Sequence, residues 1–96
     1  MLTRTAILEL LSRHAAELTS LGARWLALFG SFARDEATDA SDVDLLVDLD
    51  HHTFDRYMDL KFRLEDLLGR RVDLVLVESL KPRVRDRILR EAIRAA

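Results

Sequence analysis

The chain has 96 residues, 49% of them hydrophobic and 33% charged, and its net charge of −2 argues against general affinity for nucleic acid or membranes. The absence of cysteine excludes disulfides, thiolate chemistry and cysteine-based zinc sites. No signal-like leader and no apolar run of membrane-spanning length is present, so we expect a single cytoplasmic domain over residues 1–96.

The first third of the sequence predicts a helix, a strand and a short second helix. A helical spacing of apolar residues extends from about Thr3 to Leu21, just before Gly22. The apolar run from Arg24 to Phe29 is typical of a strand that stops at Gly30. A short helix over Ser31–Arg34 and a polar loop are expected to follow.

The middle of the sequence predicts a strand with two different faces. Apolar and acidic residues alternate over Val43–Leu49, so Asp42, Asp44, Leu46 and Asp48 share the face opposite the apolar one. One face of this strand is therefore expected in the core, and the other carries the acids.

The last part predicts a helix, a strand and a final helix. Thr53 is a suitable N-cap for a helix that reaches about Leu68 and stops at Gly69. Val72–Val77 is a third strand, and Pro82 opens a last helix that extends through Ala92. The fold class is therefore mixed α/β: a three-stranded mixed sheet flanked by about four helices, in the order α-β-α-β-α-β-α.

Gly30 and Ser31 form the first candidate site, because they lie where a strand turns into a helix. Glycine lets a ligand approach the backbone closely, and the first N–H groups of a helix suit a phosphate. The alternative is an ordinary strand-to-helix turn that is capped by Ser31.

Asp42 and Asp44 form the second candidate site. They are two residues apart at the start of a strand, so both carboxylates lie on one face. A hard divalent cation such as Mg²⁺ would relieve their mutual repulsion, since it prefers oxygen ligands. The alternative is a pair of solvated acids at a loop edge.

Asp73 is the third candidate, because it interrupts an otherwise apolar strand. A buried carboxylate there would be costly unless it were paired or bound to metal. The alternatives are a salt bridge to Arg70 or Arg71, or exposure at the strand end.

The three candidates converge if the first two strands are antiparallel and the second and third are parallel. The short first connection and the helix in the second permit this topology. Gly30, Asp42 and Asp73 would then meet at one end of the sheet. Such a site suits phosphoryl-type transfer, in which two metal ions hold a triphosphate and activate a hydroxyl.

The strings Gly30–Arg34 and Ser41–Val47 resemble the GS-x-x-R and SD-x-D-L pattern of the DNA polymerase β-like nucleotidyltransferases, and most of all their minimal nucleotidyltransferase (MNT) branch. The resemblance covers about Trp25 to Ala92, including the tail from Val72. One departure is Asp35, where relatives commonly have glycine. Aspartate tolerates unusual turn geometry better than most residues.

The resemblance implies Mg²⁺ as cofactor, two ions being expected, and ATP as substrate. It implies that Asp42, Asp44 and Asp73 are the metal ligands and catalytic acids. It assigns the nucleotide-binding residues, which are Gly30, Ser31, Arg34 and Ser41. A structural salt bridge is the alternative for Arg34.

The resemblance also implies a biological role. Many MNT proteins are antitoxins paired with HEPN-domain toxins, and some transfer AMP to a tyrosine of the toxin. We therefore expect a protein adenylyltransferase with a HEPN partner and without membrane or direct nucleic-acid binding. The alternatives are a non-catalytic antitoxin that binds its partner stoichiometrically and a nucleotidyltransferase acting on a small molecule. Apolar outer helix positions are compatible with self-association.

Overall fold

The computed structural model describes residues 2–96, which form a mixed sheet of four strands with five helices around it. The helices are α1 (Arg4–Arg13), α2 (Ala15–Ser20), α3 (Gly30–Ala33), α4 (Phe54–Leu68) and α5 (Pro82–Glu91). The strands are β1 (Ala23–Phe29), β2 (Val43–Leu49), β3 (Val72–Leu76) and β4 (Ile93–Arg94). A 3₁₀ turn at Val77–Ser79 leads from β3 toward α5. The expected mixed α/β fold is confirmed.

The sheet has the strand order β3-β2-β1-β4. β1 pairs with β2 antiparallel, and β2 pairs with β3 parallel, as the convergence of the candidate residues requires. The end of β1 and the starts of β2 and β3 therefore meet at one end of the sheet.

The core lies on the face of the sheet that α1, α2 and α4 cover. It takes the apolar side of β2, which is Val43, Leu45, Val47 and Leu49, as the alternating sequence predicts. The largest helical side chains buried against it are Ile7, Leu11, Leu18, Leu60 and Leu64. The opposite face of β2 is thus left for the acids.

The fourth strand was not expected from the sequence, which predicts helix through Ala92. α5 ends at Glu91, and Ala92 is already extended, with φ −68° and ψ 138°. The following residues pair with the free edge of β1, where Ala27 meets Arg94 and Leu28 meets Ile93. Unpaired strand edges leave backbone groups without partners, so this pairing outweighs the helix-forming tendency of the alanine-rich end.

The first helix also differs from the prediction, because it is broken at His14 into α1 and α2. His14 has φ −102° and ψ 17°, outside the helical range. The break lets Leu18 reach the same core as Ile7 and Leu11.

Two local expectations about turns are confirmed. Thr53 caps α4 by accepting a hydrogen bond from the N–H of Arg56, and Gly69 ends the helix in the left-handed region. Asp35 has φ 61°, the one positive φ among the non-glycine residues of the described chain. It thus adopts the left-handed geometry that aspartate tolerates better than most residues. None of the helices within residues 2–96 combines the length and apolarity needed to cross a bilayer.

Candidate active site

Asp44 and Asp73 form the centre of the candidate site, because the sheet places them side by side. They are direct partners in the parallel pairing of β2 with β3, one residue after Val43 meets Val72. Neighbouring strands lie about 4.8 Å apart, so two side chains on the same face at this register are close. The backbone ladder alone therefore brings the second and third acids together.

The charge environment of Asp44 is dominated by other acids. Partial burial, together with the charges of Asp73 and Asp42, raises the pKa of Asp44 to about 6, and Arg34 opposes the shift. A carboxylate in this setting is most stable with a proton or a cation beside it. Asp42 and Asp73 thus interact electrostatically with Asp44, although the three acids come from two different segments of the chain.

Asp73 is exposed to solvent, which is one of the alternatives that the sequence left open, and it is not a buried carboxylate. It lies one residue inside β3, on the open face opposite Val72 and Leu74, which are both buried. Neither Arg70 nor Arg71 pairs with it within the described residues. Asp73 interrupts the apolar strand because its side chain is exposed on the open face of the sheet, beside Asp44.

Asp42 is exposed and has one nearby cation. Its Oδ1 lies 3.7 Å from Nε of Arg71, a loose and largely solvated ion pair. The backbone carbonyl of Arg71 accepts a hydrogen bond from the N–H of Val43 at 2.9 Å, so the starts of β2 and β3 are tied together directly beside Asp42.

Gly30 meets the acids from β1. Its φ is +73°, and a Cβ atom at this position would overlap the carboxylate of Asp44. Phe29, the residue before it, pairs directly with Asp44 across the antiparallel ladder. Glycine is needed here for both conformation and space, and the Gly30–Ser31 turn lies directly against the central acid.

Arg34 follows this turn and is held by two carboxylates. Its Nε donates to Glu36 at 2.7 Å, and its Nη1 lies 3.1 Å from Oε1 of Glu91. These ion pairs correspond to the structural alternative that the sequence left open for Arg34. Its charge nevertheless reaches Asp44, whose pKa it lowers.

Ser41 lies in the loop before β2. Its hydroxyl accepts a hydrogen bond from the N–H of Thr38 at 2.9 Å, and its carbonyl accepts one from Arg70 at 2.9 Å. The hydroxyl is thus engaged within the loop, and its assignment to the nucleotide stays a prediction.

Two residues of the site were missed by the assignment from sequence. Arg70 donates to the carbonyls of Thr38 and Ser41, and its guanidinium lies 5.3 Å from the ring centre of Phe32. Glu91 accepts a hydrogen bond from the N–H of Gly30 at 2.9 Å. Both contacts join segments that are far apart in the chain. The sequence signal for Glu91 is its place in the tail that resembles the MNT branch, and that resemblance assigned it no role.

The donor set can be tested against the implied Mg²⁺. No group of three or more histidine or acidic residues within residues 2–96 is arranged as a ready-made metal cage. Protein-bound Mg²⁺ is usually held by one or two carboxylates together with substrate phosphates and water, rather than by a complete protein cage. The carboxylates of Asp42 and Asp73 lie near the half-buried Asp44 and repel it. A set of neighbouring carboxylates of this kind suits Mg²⁺, which would relieve their repulsion.

The chain is similar to known proteins over most of its length. Residues 11–95 match the family described as nucleotidyltransferase domain. The protein adenylyltransferase MntA of Thermococcus cleftensis is 42% identical over 95 residues, which cover 97% of this chain and 96% of that protein.

Solved structures share the fold. One, described as a candidate minimal nucleotidyltransferase, is 46% identical with a TM-score of 0.69, and the match covers 94% of this chain and 86% of that one. A toxin–antitoxin crystal structure with AMP-PNP has a TM-score of 0.70 at 20% identity, over 88% of this chain and 72% of that one. At that identity the likeness concerns the fold alone.

Proposed function

The chain belongs to the nucleotidyltransferase domain family and is a nucleotidyltransferase, and we propose that it is a toxin–antitoxin antitoxin that transfers AMP from ATP to a tyrosine of a HEPN-domain toxin. The observation that carries the proposal is the pairing of Asp44 with Asp73 across β2 and β3, with Gly30 packed against Asp44. The acids and the Gly30–Ser31 turn meet there at one end of the sheet.

In this proposal the acids hold Mg²⁺ and the turn holds the triphosphate. Asp42, Asp44 and Asp73 are the metal ligands, two ions being expected. Bound Mg²⁺ supplies positive charge that stabilises the phosphate oxygens and lowers the pKa of an attacking hydroxyl. Ser31 offers its hydroxyl and N–H to the phosphates, and Gly30 lets them come close to the backbone.

The transfer itself is a substitution at the α-phosphorus of ATP. The acceptor tyrosine oxygen forms a bond to that phosphorus, and the bond from phosphorus to the bridging oxygen of pyrophosphate breaks. The tyrosine hydroxyl proton must leave at the same time. We assign this proton to Asp73, and its exposure on the open face beside Asp44 supports the assignment.

The acceptor is proposed to be a protein for two reasons. The Thermococcus relative is named a protein adenylyltransferase, and it matches this chain over nearly its whole length. The structures of similar fold include toxin–antitoxin complexes, one of them of MntA with HpeT. The HEPN identity of the toxin and the tyrosine follow from the MNT resemblance. The cytoplasm, where ATP is supplied, is the compartment that the proposal requires.

The test is transfer of label from ATP to the partner. The protein is incubated with Mg²⁺, α-labelled ATP and the HEPN-domain protein encoded beside it, and the labelled partner is mapped by mass spectrometry. We expect one AMP-modified tyrosine or more, with no label when Asp42 and Asp44 are both replaced by alanine. No transfer by the wild type, or transfer that survives the double substitution, contradicts the proposal.

The same double variant separates catalysis from simple binding. If it neutralises the toxin as well as the wild type does, neutralisation is stoichiometric and the acids are not needed for it. Labelling of a small acceptor in the absence of any partner protein would instead indicate a small-molecule nucleotidyltransferase.

A further inference from the structure

Glu91 links the end of α5 to the Gly30–Ser31 turn, although 61 residues separate it from Gly30. Its Oε1 accepts the N–H of Gly30 at 2.9 Å, and both carboxylate oxygens lie within 3.3 Å of Nη1 of Arg34. One side chain thus holds the first and the last residue of the GS-x-x-R motif.

The backbone fixes where this carboxylate stands. Leu28 pairs with Ile93 in the antiparallel ladder of β1 and β4. Continuing the register by two residues places Glu91 opposite Gly30. Glu91 is also the last residue of α5, where Ala92 N–H still bonds to the carbonyl of Ile88 at 2.9 Å. Helix on one side and strand on the other leave the position of Glu91 little freedom.

The turn needs such support because α3 is only four residues long. A single helical turn is not stable by itself. Arg4 of α1 donates to the carbonyl of Ala33 at its far end, and Glu91 takes the N–H at its near end. Glu91 is therefore the contact that fixes the end of α3 lying against Asp44.

We propose that Glu91 is a positioning residue for the nucleotide: its carboxylate orients the Gly30–Ser31 turn and Arg34 so that they meet the triphosphate. The inference rests on the proposed function. It predicts that the N–H of Gly30 belongs to Glu91, which leaves the N–H and hydroxyl of Ser31 to grip the phosphate. The side chain of Glu91 is 28% exposed and lines a cavity of about 370 Å³ with Gly30, Arg34 and Arg87.

A competing interpretation gives the carboxylate the opposite effect. A negative group on the donors of the turn would repel a phosphate, and its removal would then tighten nucleotide binding. The carboxylate is already engaged by the N–H of Gly30 at 2.9 Å and by Nη1 of Arg34 at 3.1 and 3.3 Å. These contacts favour a carboxylate that braces the turn over one that repels the phosphate.

The experiment compares three substitutions of Glu91 by measuring binding of a non-hydrolysable ATP analogue with Mg²⁺, and KM and kcat for ATP in the transfer assay. E91A removes the acceptor, and we expect analogue affinity to fall about tenfold, as for loss of a charged hydrogen bond, with KM rising more than kcat falls. E91Q keeps an oxygen acceptor for Gly30 and should recover affinity to within about threefold. E91D is too short to reach and should resemble E91A.

Glu36 provides the matched control. It bonds Arg34 at 2.7 Å but does not touch Gly30, so E36A removes an equal charge from Arg34 and leaves the turn held. Analogue affinity of E36A should stay within about twofold of wild type. Should E91A not fold, as judged by circular dichroism, the contrast of E91Q with E91D decides the same question.

The outcomes separate this inference from the proposed function. If the wild type binds the analogue and E91A binds it equally well or more tightly, the positioning role is overturned and the proposed function stands. A wild type that neither binds the analogue nor transfers AMP overturns the proposed function and the role of Glu91 with it. Amide exchange at Gly30, measured without nucleotide, gives a further check: exchange no faster in E91A than in the wild type overturns the bracing contact.

Discussion

The two sides of the candidate site are held in different ways. Asp44 and Asp73 stand on β2 and β3, whose backbones are hydrogen-bonded to each other along five paired residues. The Gly30–Ser31 turn is held instead by the side chain of Glu91, and the loop before Asp42 by the side chain of Arg70. The acids therefore depend on the sheet as a whole, and the turn depends on a few contacts that can be removed one at a time.

This difference predicts how each side responds to substitution. A change at an acid should alter the chemistry while the fold persists, because the ladder does not involve the side chain. A change at a bracing residue should alter nucleotide binding and stability together. Four predictions test the comparison, from the largest expected effect to the smallest.

The largest effect is expected at Asp73. Replacing it with asparagine keeps the shape and removes the proposed metal ligand and proton acceptor, so AMP transfer should fall by at least about a hundredfold, as when a general base is lost. Unfolding in urea should show no loss of stability, because the carboxylate is exposed and makes no ion pair in the described chain. A large loss of stability with transfer intact would assign Asp73 to the fold.

The second effect is expected where the two sides touch. Gly30→Ala puts a Cβ into the carboxylate of Asp44 and forces alanine to φ +73°. We expect a loss of about 1–3 kcal/mol in unfolding free energy from the backbone conformation, and transfer reduced by tens of fold because Asp44 must move. Gly69→Ala is the matched control, since it carries a similar φ of +64° with open space around it. Equal transfer in the two variants would contradict the close packing of Gly30 on Asp44.

The same division separates what the sequence predicts from what it does not. The alternation in Val43–Leu49 predicted which face of β2 carries the acids. The connection lengths permitted the antiparallel pairing of β1 with β2 and the parallel pairing of β2 with β3 that a meeting of the acids requires, and the structure has both pairings. Asp73 meets Asp44 as this topology requires, and it is exposed, which the sequence had left open as an alternative to burial.

The supporting contacts of Arg70 and Glu91 could not be predicted from the sequence, for a physical reason. Arg70 and Glu91 act across 29 to 61 residues, and a hydrogen bond between distant side chains leaves no periodic trace in either segment. The short β4 was missed in the same way, because its alanine-rich sequence favours helix and only the free edge of β1 selects the extended form.

The third effect is expected at Arg70, which braces the loop before Asp42. Arg70→Ala removes hydrogen bonds to the carbonyls of Thr38 and Ser41 and the contact with Phe32. We expect a loss of about 1–2 kcal/mol in unfolding free energy and transfer lowered severalfold.

The exposed neighbour Arg71 serves as the stability control for Arg70. Arg71→Ala should change unfolding free energy by less than about 0.5 kcal/mol, because its one ion pair among residues 2–96 is loose. Unfolding curves in urea decide between them, and two alanine variants of equal stability would show that the loop does not depend on Arg70.

The smallest effect is expected beyond the other end of β2, at Asp50. The pKa of this acid is lowered, whereas that of Asp44 is raised. Two hydrogen bonds from Arg56, of 2.8 and 3.1 Å, lower the pKa of Asp50 to about 2. Because the folded pKa lies below the ordinary value of 3.8, ionised Asp50 favours the folded state above about pH 4. This contribution is lost as the pH falls from about 4 to 2.

Thermal unfolding between pH 5 and 2 measures that contribution. The wild type should lose more of its melting temperature across this interval than Asp50→Asn, which has no proton to take up at this position. The difference should shrink at high salt, because the pair is partly exposed to solvent. Transfer at pH 7 should be nearly unchanged in Asp50→Asn, since Asp50 lies at the opposite end of β2 from Asp44 and bonds only Arg56 among side chains. Parallel melting curves for the two proteins would mean that Arg56 does not hold Asp50 ionised. In that case, the contrast between Asp50, which is paired with Arg56, and Asp44 at the opposite end of β2 would not hold.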